Sequence, residues 1–196
     1  MTKLHFDEAT HTYTLDGTKL PSVTHLIRYL DVDVDKSRPW MRDEAAERGT
    51  IVHNLCAMMD YGEDISEETP FYLQGYVNAY ANFLRDYDVR WELIERPDWA
   101  ERDGLRFAGT LDRFGYVNGN PFIVDIKTGT SGSDARHSAQ LSAYSLFPCI
   151  NTSPVALAVL YLRKDGTYRF KQQTRSLKLF DACCLLHKET GGKLPK

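Results

Sequence analysis

Residues 11–20 follow the two-residue period of a β-hairpin. Polar and apolar side chains alternate over residues 11–15, Asp16-Gly17 is a favoured two-residue turn, and residues 18–20 form a short return strand that ends at Pro21. The pattern therefore predicts an N-terminal hairpin.

Helical spacing follows the hairpin. Ser22 can cap a short helix that ends near residue 30, and the acidic segment 31–35 is expected to be a solvated loop. Apolar residues then recur on one face over residues 38–61 and again over residues 70–87, where Pro70 suits a first helical turn. We therefore predict one short and two long helices before residue 90.

The pattern changes to strands beyond residue 90. Three strands are predicted over residues 91–96, 105–117 and 121–127, and tight connections make them an antiparallel meander. After a break at residues 129–132, four more elements are predicted: a helix over 133–147, a buried strand over 155–162, a strand over 168–172 and a helix over 176–187. This order predicts a mixed α/β fold.

Length and composition bound the number of domains. The chain has 196 residues, 42% hydrophobic and 26% charged, which is enough for one well-buried domain and too little for two. We predict a single domain over residues 1–196, with the hairpin and short helix in residues 1–36 and the core in residues 37–188. Since no run of about 18 apolar residues and no signal-peptide segment is present, we expect a soluble cytoplasmic protein.

Two short motifs carry the candidate chemistry. Asp112 ends Gly109-Thr110-Leu111-Asp112, and Asp125 follows thirteen residues later in Val124-Asp125-Ile126-Lys127-Thr128-Gly129. Asp125 and Lys127 alternate on one predicted strand, so both side chains face the same side of the sheet. Two carboxylates that hold a divalent cation, beside a lysine that orients water, are what phosphodiester hydrolysis requires. The net charge of −3 does not exclude a nuclease, because acidic metal ligands offset a local basic groove.

Four motifs follow one another between residues 48 and 144: Arg48-Gly49-Thr50-Ile51-Val52-His53, Gly109-Thr110-Leu111-Asp112, Asp125-Ile126-Lys127 and Gln140-Leu141-Ser142-Ala143-Tyr144. In this order the chain resembles the PD-(D/E)XK nucleases, in particular the RecB-like branch. Residues 11–13 and 21–24 also look like the start of the branch that contains phage-borne nucleases and the mitochondrial genome maintenance exonuclease. The resemblance implies a restriction-endonuclease-like α/β (α+β) core, a central mixed sheet flanked by helices, with an N-terminal hairpin and helical extension.

The resemblance implies a metal site. His53, Asp112, Asp125 and the backbone carbonyl of Ile126 would bind one or two Mg²⁺ or Mn²⁺ ions. Lys127 would position the attacking water or help to deprotonate it. Asp125 departs from the commoner glutamate of this motif but is still a hard oxygen ligand.

Five further residues are candidates for the same site. Glu95 would bind a second cation or orient water, or would simply belong to a charged strand, as Glu92 and Arg96 on the same strand allow. Four others are expected to contact DNA, with ordinary packing or surface solvation as the competing interpretations: Gln140 and Tyr144, one helical turn apart, and Arg136 and His137, in the first turns of the same helix.

The resemblance implies a metal-dependent deoxyribonuclease, in particular an exonuclease that hydrolyses DNA ends or single strands in recombination, repair or phage replication. Its partners would be single-stranded or duplex DNA ends and a recombination or replication protein. Two alternatives stay open: a non-catalytic module that holds DNA ends, and a structure- or sequence-specific endonuclease. Cys183-Cys184 is an adjacent pair without the cysteine trio of some relatives, so we expect no iron-sulfur cluster.

Overall fold

The computed structural model describes residues 3–31, 39–129 and 133–194. The predicted acidic loop beyond Asp31 and the predicted break at residues 130–132 lie outside the described residues. None of the helices in the described ranges is both long and apolar enough to cross a membrane.

A small N-terminal sheet precedes the core. It contains β1 (Leu4–Asp7), β2 (Thr12–Leu15) and β3 (Thr18–Leu20), in that order and antiparallel. The sequence predicts the β2–β3 hairpin but not β1. Tyr13, Leu15 and Leu20 pack together with Ala108, and this contact fastens the small sheet to the central one.

Two long helices cover one face of the central sheet. After the short α1 (Val23–Leu26) and a 3₁₀ turn (Ile27–Leu30), the chain forms α2 (Pro39–Asp60), a second 3₁₀ turn (Phe71–Leu73) and α3 (Gln74–Asp86). Ser22 caps α1 as predicted, because its hydroxyl accepts a hydrogen bond from the His25 N–H at 3.0 Å. Apolar residues of α2 and α3 pack in one cluster with residues of the sheet, such as Val124 and Leu160.

The central sheet has five strands: β4 (Val89–Arg102), β5 (Leu105–Val117), β6 (Asn120–Lys127), β7 (Ala156–Leu162) and β8 (Tyr168–Gln173). They lie side by side in chain order. Only β6 and β7 are parallel, and α4 (Asp134–Tyr144) connects them. Helices α1, α4 and α5 (Leu177–Glu189) cover the second face. The predicted mixed α/β class, antiparallel meander and flanking helices are thereby confirmed, and the arrangement agrees with a restriction-endonuclease-like fold.

One strand is longer than the sequence predicts. We predicted that it spans residues 91–96, and Pro97 argues against a longer strand, but β4 continues to Arg102 with Pro97 paired opposite Thr110. A proline is tolerated there because β4 lies at the edge of the sheet, where one side of the strand needs no partner.

Gly115 allows β4 to bend closely over β5. The register shifts between Trp91 and Leu93, opposite this glycine, and a Cβ at Gly115 would lie 2.2 Å from the Arg90 carbonyl oxygen. We expect Gly115→Ala to lower the free energy of unfolding by about 1–3 kcal/mol, since backbone cannot yield as a side chain can. Urea denaturation measures this.

The matched control for that variant is Gly49→Ala. Gly49 lies within α2, where an added Cβ meets nothing within 4 Å. Alanine favours a helix interior over glycine by about 0.5–1 kcal/mol, so this variant should be at least as stable as the wild type. Equal unfolding free energies for the two variants would contradict the assigned close approach at Gly115.

Candidate metal centre

The candidate site forms where the strand pairing on both sides of Asp112 is interrupted. The ladder between β5 and β6 stops at the pair Arg113–Val124, so Asp112 lies just past its end. On the other side, Glu95 interrupts the pairing of β4 with β5. The carboxylate of Asp112 fills the gap towards β6, where its Oδ2 accepts a hydrogen bond from the backbone N–H of Ile126 at 2.7 Å. Asp112 thus lies between the acidic residues of the two neighbouring strands.

His53 of α2 meets two of these carboxylates. Its Nδ1 lies 3.3 Å from Glu95 Oε1 and 3.7 Å from Asp112 Oδ2. Its Nε2 lies 2.9 Å from the carbonyl oxygen of Ile126; because a carbonyl only accepts, Nε2 carries the hydrogen when no cation lies between these two atoms. The lone pair of a neutral His53 is then at Nδ1, facing two carboxylate oxygens. That arrangement is stable only when a cation, either a proton or a metal ion, lies among the three groups.

The geometry of these three residues suits a metal ion. His53, Glu95 and Asp112 can each offer one ligand atom, and the three atoms lie within 4.8 Å of one another. In the absence of a metal a proton takes this place: burial lowers the pKa of His53, but the Asp112 and Glu95 carboxylates outweigh it and raise the pKa to about 9.

Asp125 and Lys127 form a second part of the site. Asp125 is buried, and its Oδ1 accepts hydrogen bonds from Lys127 Nζ at 2.8 Å and from Gln140 Nε2 at 3.0 Å. Burial lowers the pKa of Lys127, but the Asp125 and Asp112 carboxylates outweigh it and raise that pKa, so the side chain is an ammonium ion at neutral pH. As an ammonium, Lys127 is suited to orienting a water molecule and not to taking a proton from it.

The charges around the centre favour a divalent cation. The centre contains four carboxylates and two positively charged side chains. The carboxylates belong to Asp60, Glu95, Asp112 and Asp125, and the cations are Arg113 and Lys127. With His53 neutral, these groups carry a net charge of −2, which one divalent ion balances. Carboxylate and carbonyl oxygens are ligands that Mg²⁺ and Mn²⁺ prefer, and a neutral imidazole is a common metal ligand in proteins. The residues present therefore fit a divalent metal ion.

Gln140 and Tyr144 of α4, expected to contact DNA, lie inside the protein. Both are buried, and Gln140 Nε2 donates to Asp125 Oδ1 and to the Tyr144 hydroxyl at 3.2 Å. Gly109 makes this packing possible, because a Cβ there would lie 2.9 Å from the Tyr144 ring. Tyr144 thus contacts both Gly109, of the motif that ends at Asp112, and Gln140, of its own motif.

Arg136 and His137 occupy different environments. Arg136 forms an ion pair with Asp31, and its side chain is partly exposed. His137 is buried, and its Nδ1 lies 3.0 Å from the Tyr161 hydroxyl. Arg136 is therefore accessible to a ligand in solution, whereas His137 is not.

The sequence analysis did not identify Arg113 as part of the metal centre. Arg113 is fully buried, and its guanidinium contacts Asp60 at 2.7 Å and Glu95 at 2.8 Å. The available signal was an arginine inside an apolar strand, which requires an acidic partner when it is buried. The sequence does not indicate which acidic residue that partner is.

A model of the PD-(D/E)XK nuclease superfamily matches residues 38–188, more than three-quarters of the chain. The chain belongs to the PD-(D/E)XK nuclease superfamily. Members of this superfamily are generally nucleases that use divalent metal ions, and the His53–Glu95–Asp112 group can hold one in this PD-(D/E)XK chain.

Two other comparisons add little to this assignment. No curated protein matches the chain. Among solved structures, one described as the crystal structure of SSO0001 is 16% identical over 84% of this chain and 75% of that chain, with a TM-score of 0.40.

Proposed function

We propose that this PD-(D/E)XK protein is a divalent-metal-dependent deoxyribonuclease, and more narrowly an exonuclease that acts on DNA ends or single strands in the cytoplasm during recombination, repair or phage replication. The observation that carries the proposal is the His53–Glu95–Asp112 group beside the Asp125–Lys127 ion pair. A module that only held DNA ends would gain nothing from carboxylates that repel one another at this distance. The family match over residues 38–188 supports the predicted nuclease core over residues 37–188.

We assign the metal ligands as His53, Glu95, Asp112 and Asp125, with the Ile126 carbonyl beside them. A divalent cation, when bound, stabilises charge on the phosphoryl oxygens and lowers the pKa of a coordinated water. The Ile126 N–H fixes Asp112, and Gln140 fixes Asp125, so that the two carboxylates are held before a metal arrives. This arrangement needs little rearrangement when the centre is loaded.

Lys127 orients the water that attacks phosphorus. Its ammonium donates to Asp125, and its side chain is about one-third exposed, so the group is accessible to water. A positively charged donor there holds the water oxygen in line with the scissile bond and counters the charge that develops on phosphate. Lys127 acts as a cation throughout and accepts no proton.

DNA contacts are assigned to the start of α4. Arg136 is partly exposed and, by exchanging Asp31 for a phosphate, can hold the DNA backbone. The three buried residues of α4 do not contact DNA in this assignment. Gln140, which also bonds Tyr144, fixes Asp125, and His137 fixes the helix through Tyr161.

The exonuclease assignment predicts that only DNA with free ends is degraded. Linear single-stranded and duplex DNA, labelled at either end, should lose nucleotides in the presence of Mg²⁺ or Mn²⁺, while closed circles of the same sequence stay intact. Product sizes on a denaturing gel give the result. Cleavage of closed circles would replace the exonuclease with an endonuclease, and DNA binding without cleavage in any metal would leave an end-binding module.

A further inference from the structure

We infer that Arg113 is a positioning residue that holds the Glu95 carboxylate at the metal centre, through a buried network that extends to Asp60, Tyr80 and Trp91. The inference deepens the proposed function and rests on it, because the metal centre is the site that Glu95 completes. Metal affinity then depends on residues that never touch the metal.

Arg113 joins the network to the centre directly. It is fully buried, and its Nη1 donates to Glu95 Oε1 at 2.8 Å and to the backbone carbonyl of Asp112 at 2.7 Å. One nitrogen thus contacts two residues of the centre. The same Glu95 oxygen faces His53 Nδ1 at 3.3 Å, so Arg113 holds the Glu95 oxygen that lies next to the histidine of the centre.

A second layer fixes the guanidinium itself. Arg113 Nε donates to Asp60 Oδ2 at 2.7 Å, and the Tyr80 hydroxyl lies 2.8 Å from each oxygen of the Asp60 carboxylate. Trp91 Nε1 donates in turn to the Tyr80 oxygen at 3.0 Å. These residues come from α2, α3, β4 and β5, and the network therefore fixes the strand of Glu95 relative to the helix of His53.

The backbone of Glu95 shows that something must hold it. Its φ is +44°, a left-handed conformation inside a strand, and the residue lies between the regular pairs Ile94–Arg113 and Arg96–Leu111. A non-glycine residue adopts this conformation at a cost in free energy and keeps it only where its surroundings stabilise it. The contacts of its carboxylate with Arg113 and His53 supply that stabilisation.

A purely structural role for Arg113 makes a different prediction. If Arg113 only neutralised the buried Asp60, substitutions in the network would change the stability of the fold and leave the metal centre as it is. If Arg113 positions Glu95, the same substitutions weaken metal binding and lose that effect once Glu95 no longer offers a charged ligand. A double-mutant cycle separates the two roles.

The experiment measures Mn²⁺ binding to the whole protein by calorimetry and by the electron paramagnetic resonance of free Mn²⁺, without DNA. We expect Arg113→Lys to raise the dissociation constant by about 10- to 100-fold, since a lysine cannot bridge Asp60 and Glu95, and Tyr80→Phe to raise it less. Arg102→Lys is the matched control, because Arg102 forms a similar ion pair with Asp181 outside the site. It should bind Mn²⁺ as the wild type does.

The decisive comparison uses Glu95→Gln. This variant should itself bind Mn²⁺ more weakly, and in its background Arg113→Lys and Tyr80→Phe should cause little further loss. If Arg113→Lys does not fold, Tyr80→Phe alone supports the cycle, since it removes one hydroxyl and no charge. Unchanged affinity in folded network variants, or full additivity with Glu95→Gln, would overturn the inference. Because binding is read without cleavage, a protein that binds Mn²⁺ but cuts no DNA would overturn only the proposed function.

Discussion

Replacing Asp112 with asparagine is expected to reduce metal-dependent cleavage of DNA about a thousandfold or more. Asp112 is the carboxylate between Glu95 and Asp125, and it faces His53 at 3.7 Å. Loss of its charge removes a ligand from a cation whose Lewis-acid effect is worth several kcal/mol, and each 1.4 kcal/mol corresponds to about tenfold in rate. The fold should survive, because the amide oxygen of asparagine can still accept the hydrogen bond from the Ile126 N–H.

The measurement for Asp112→Asn is the initial rate on end-labelled linear DNA at saturating Mn²⁺, with thermal unfolding in parallel. Asp165→Asn is the matched control: Asp165 accepts hydrogen bonds from Thr167 in the turn before β8, outside the site, and its loss should leave the rate unchanged. An Asp112→Asn protein that is folded and cuts within tenfold of the wild-type rate would show that the cation, if one is used, lies elsewhere.

Replacing Lys127 with methionine is expected to lower the cleavage rate by about 10²- to 10³-fold while Mn²⁺ still binds, because a preorganised positively charged donor is removed. Methionine fills a similar volume without the ammonium that donates to Asp125. Removal of a positive charge beside the centre should keep metal affinity or increase it, because the cation no longer meets a like charge. Lys127→Met therefore distinguishes a role in binding the metal from a role in orienting the water that attacks phosphorus.

The two quantities for Lys127→Met are the single-turnover cleavage rate and the Mn²⁺ dissociation constant from calorimetry. Lys188→Met serves as the control, since Lys188 on α5 donates to the Asp103 carbonyl outside the site and should alter neither quantity. A loss of Mn²⁺ affinity in parallel with the rate would assign Lys127 to assembly of the centre instead of to the water.

Much of the fold could be predicted because its hydrophobic period is regular. The strand predicted over residues 105–117 is observed with those bounds, and the helix predicted over 38–61 is observed as Pro39–Asp60. The two-residue alternation of a strand does not predict which face a side chain occupies where the strand is irregular. Leu111 and Phe114 enter the same core cluster although they are three residues apart, so no two-residue pattern could show which way Arg113 points.

The same limit applied to Glu95. Its strand also carries Glu92 and Arg96, and the register shift between Trp91 and Leu93 removes the alternation that would have assigned each charge to a face. Only the folded chain, with Glu95 at positive φ and held by Arg113, distinguishes it from its charged neighbours. In the same way, the family resemblance placed Gln140 at the site as an expected DNA contact, but its burial and its hydrogen bond to Asp125 are properties of how α4 packs on the sheet.

The most direct test of the central claim is the location of Mn²⁺ in crystals of the protein, read from anomalous difference density at the manganese absorption edge. The account predicts a peak enclosed by His53, Glu95, Asp112 and Asp125, and its loss from crystals of Asp112→Asn grown in the same Mn²⁺ concentration. Crystals in which Mn²⁺ is bound only at other residues, or in which Asp112→Asn keeps the peak, would contradict it.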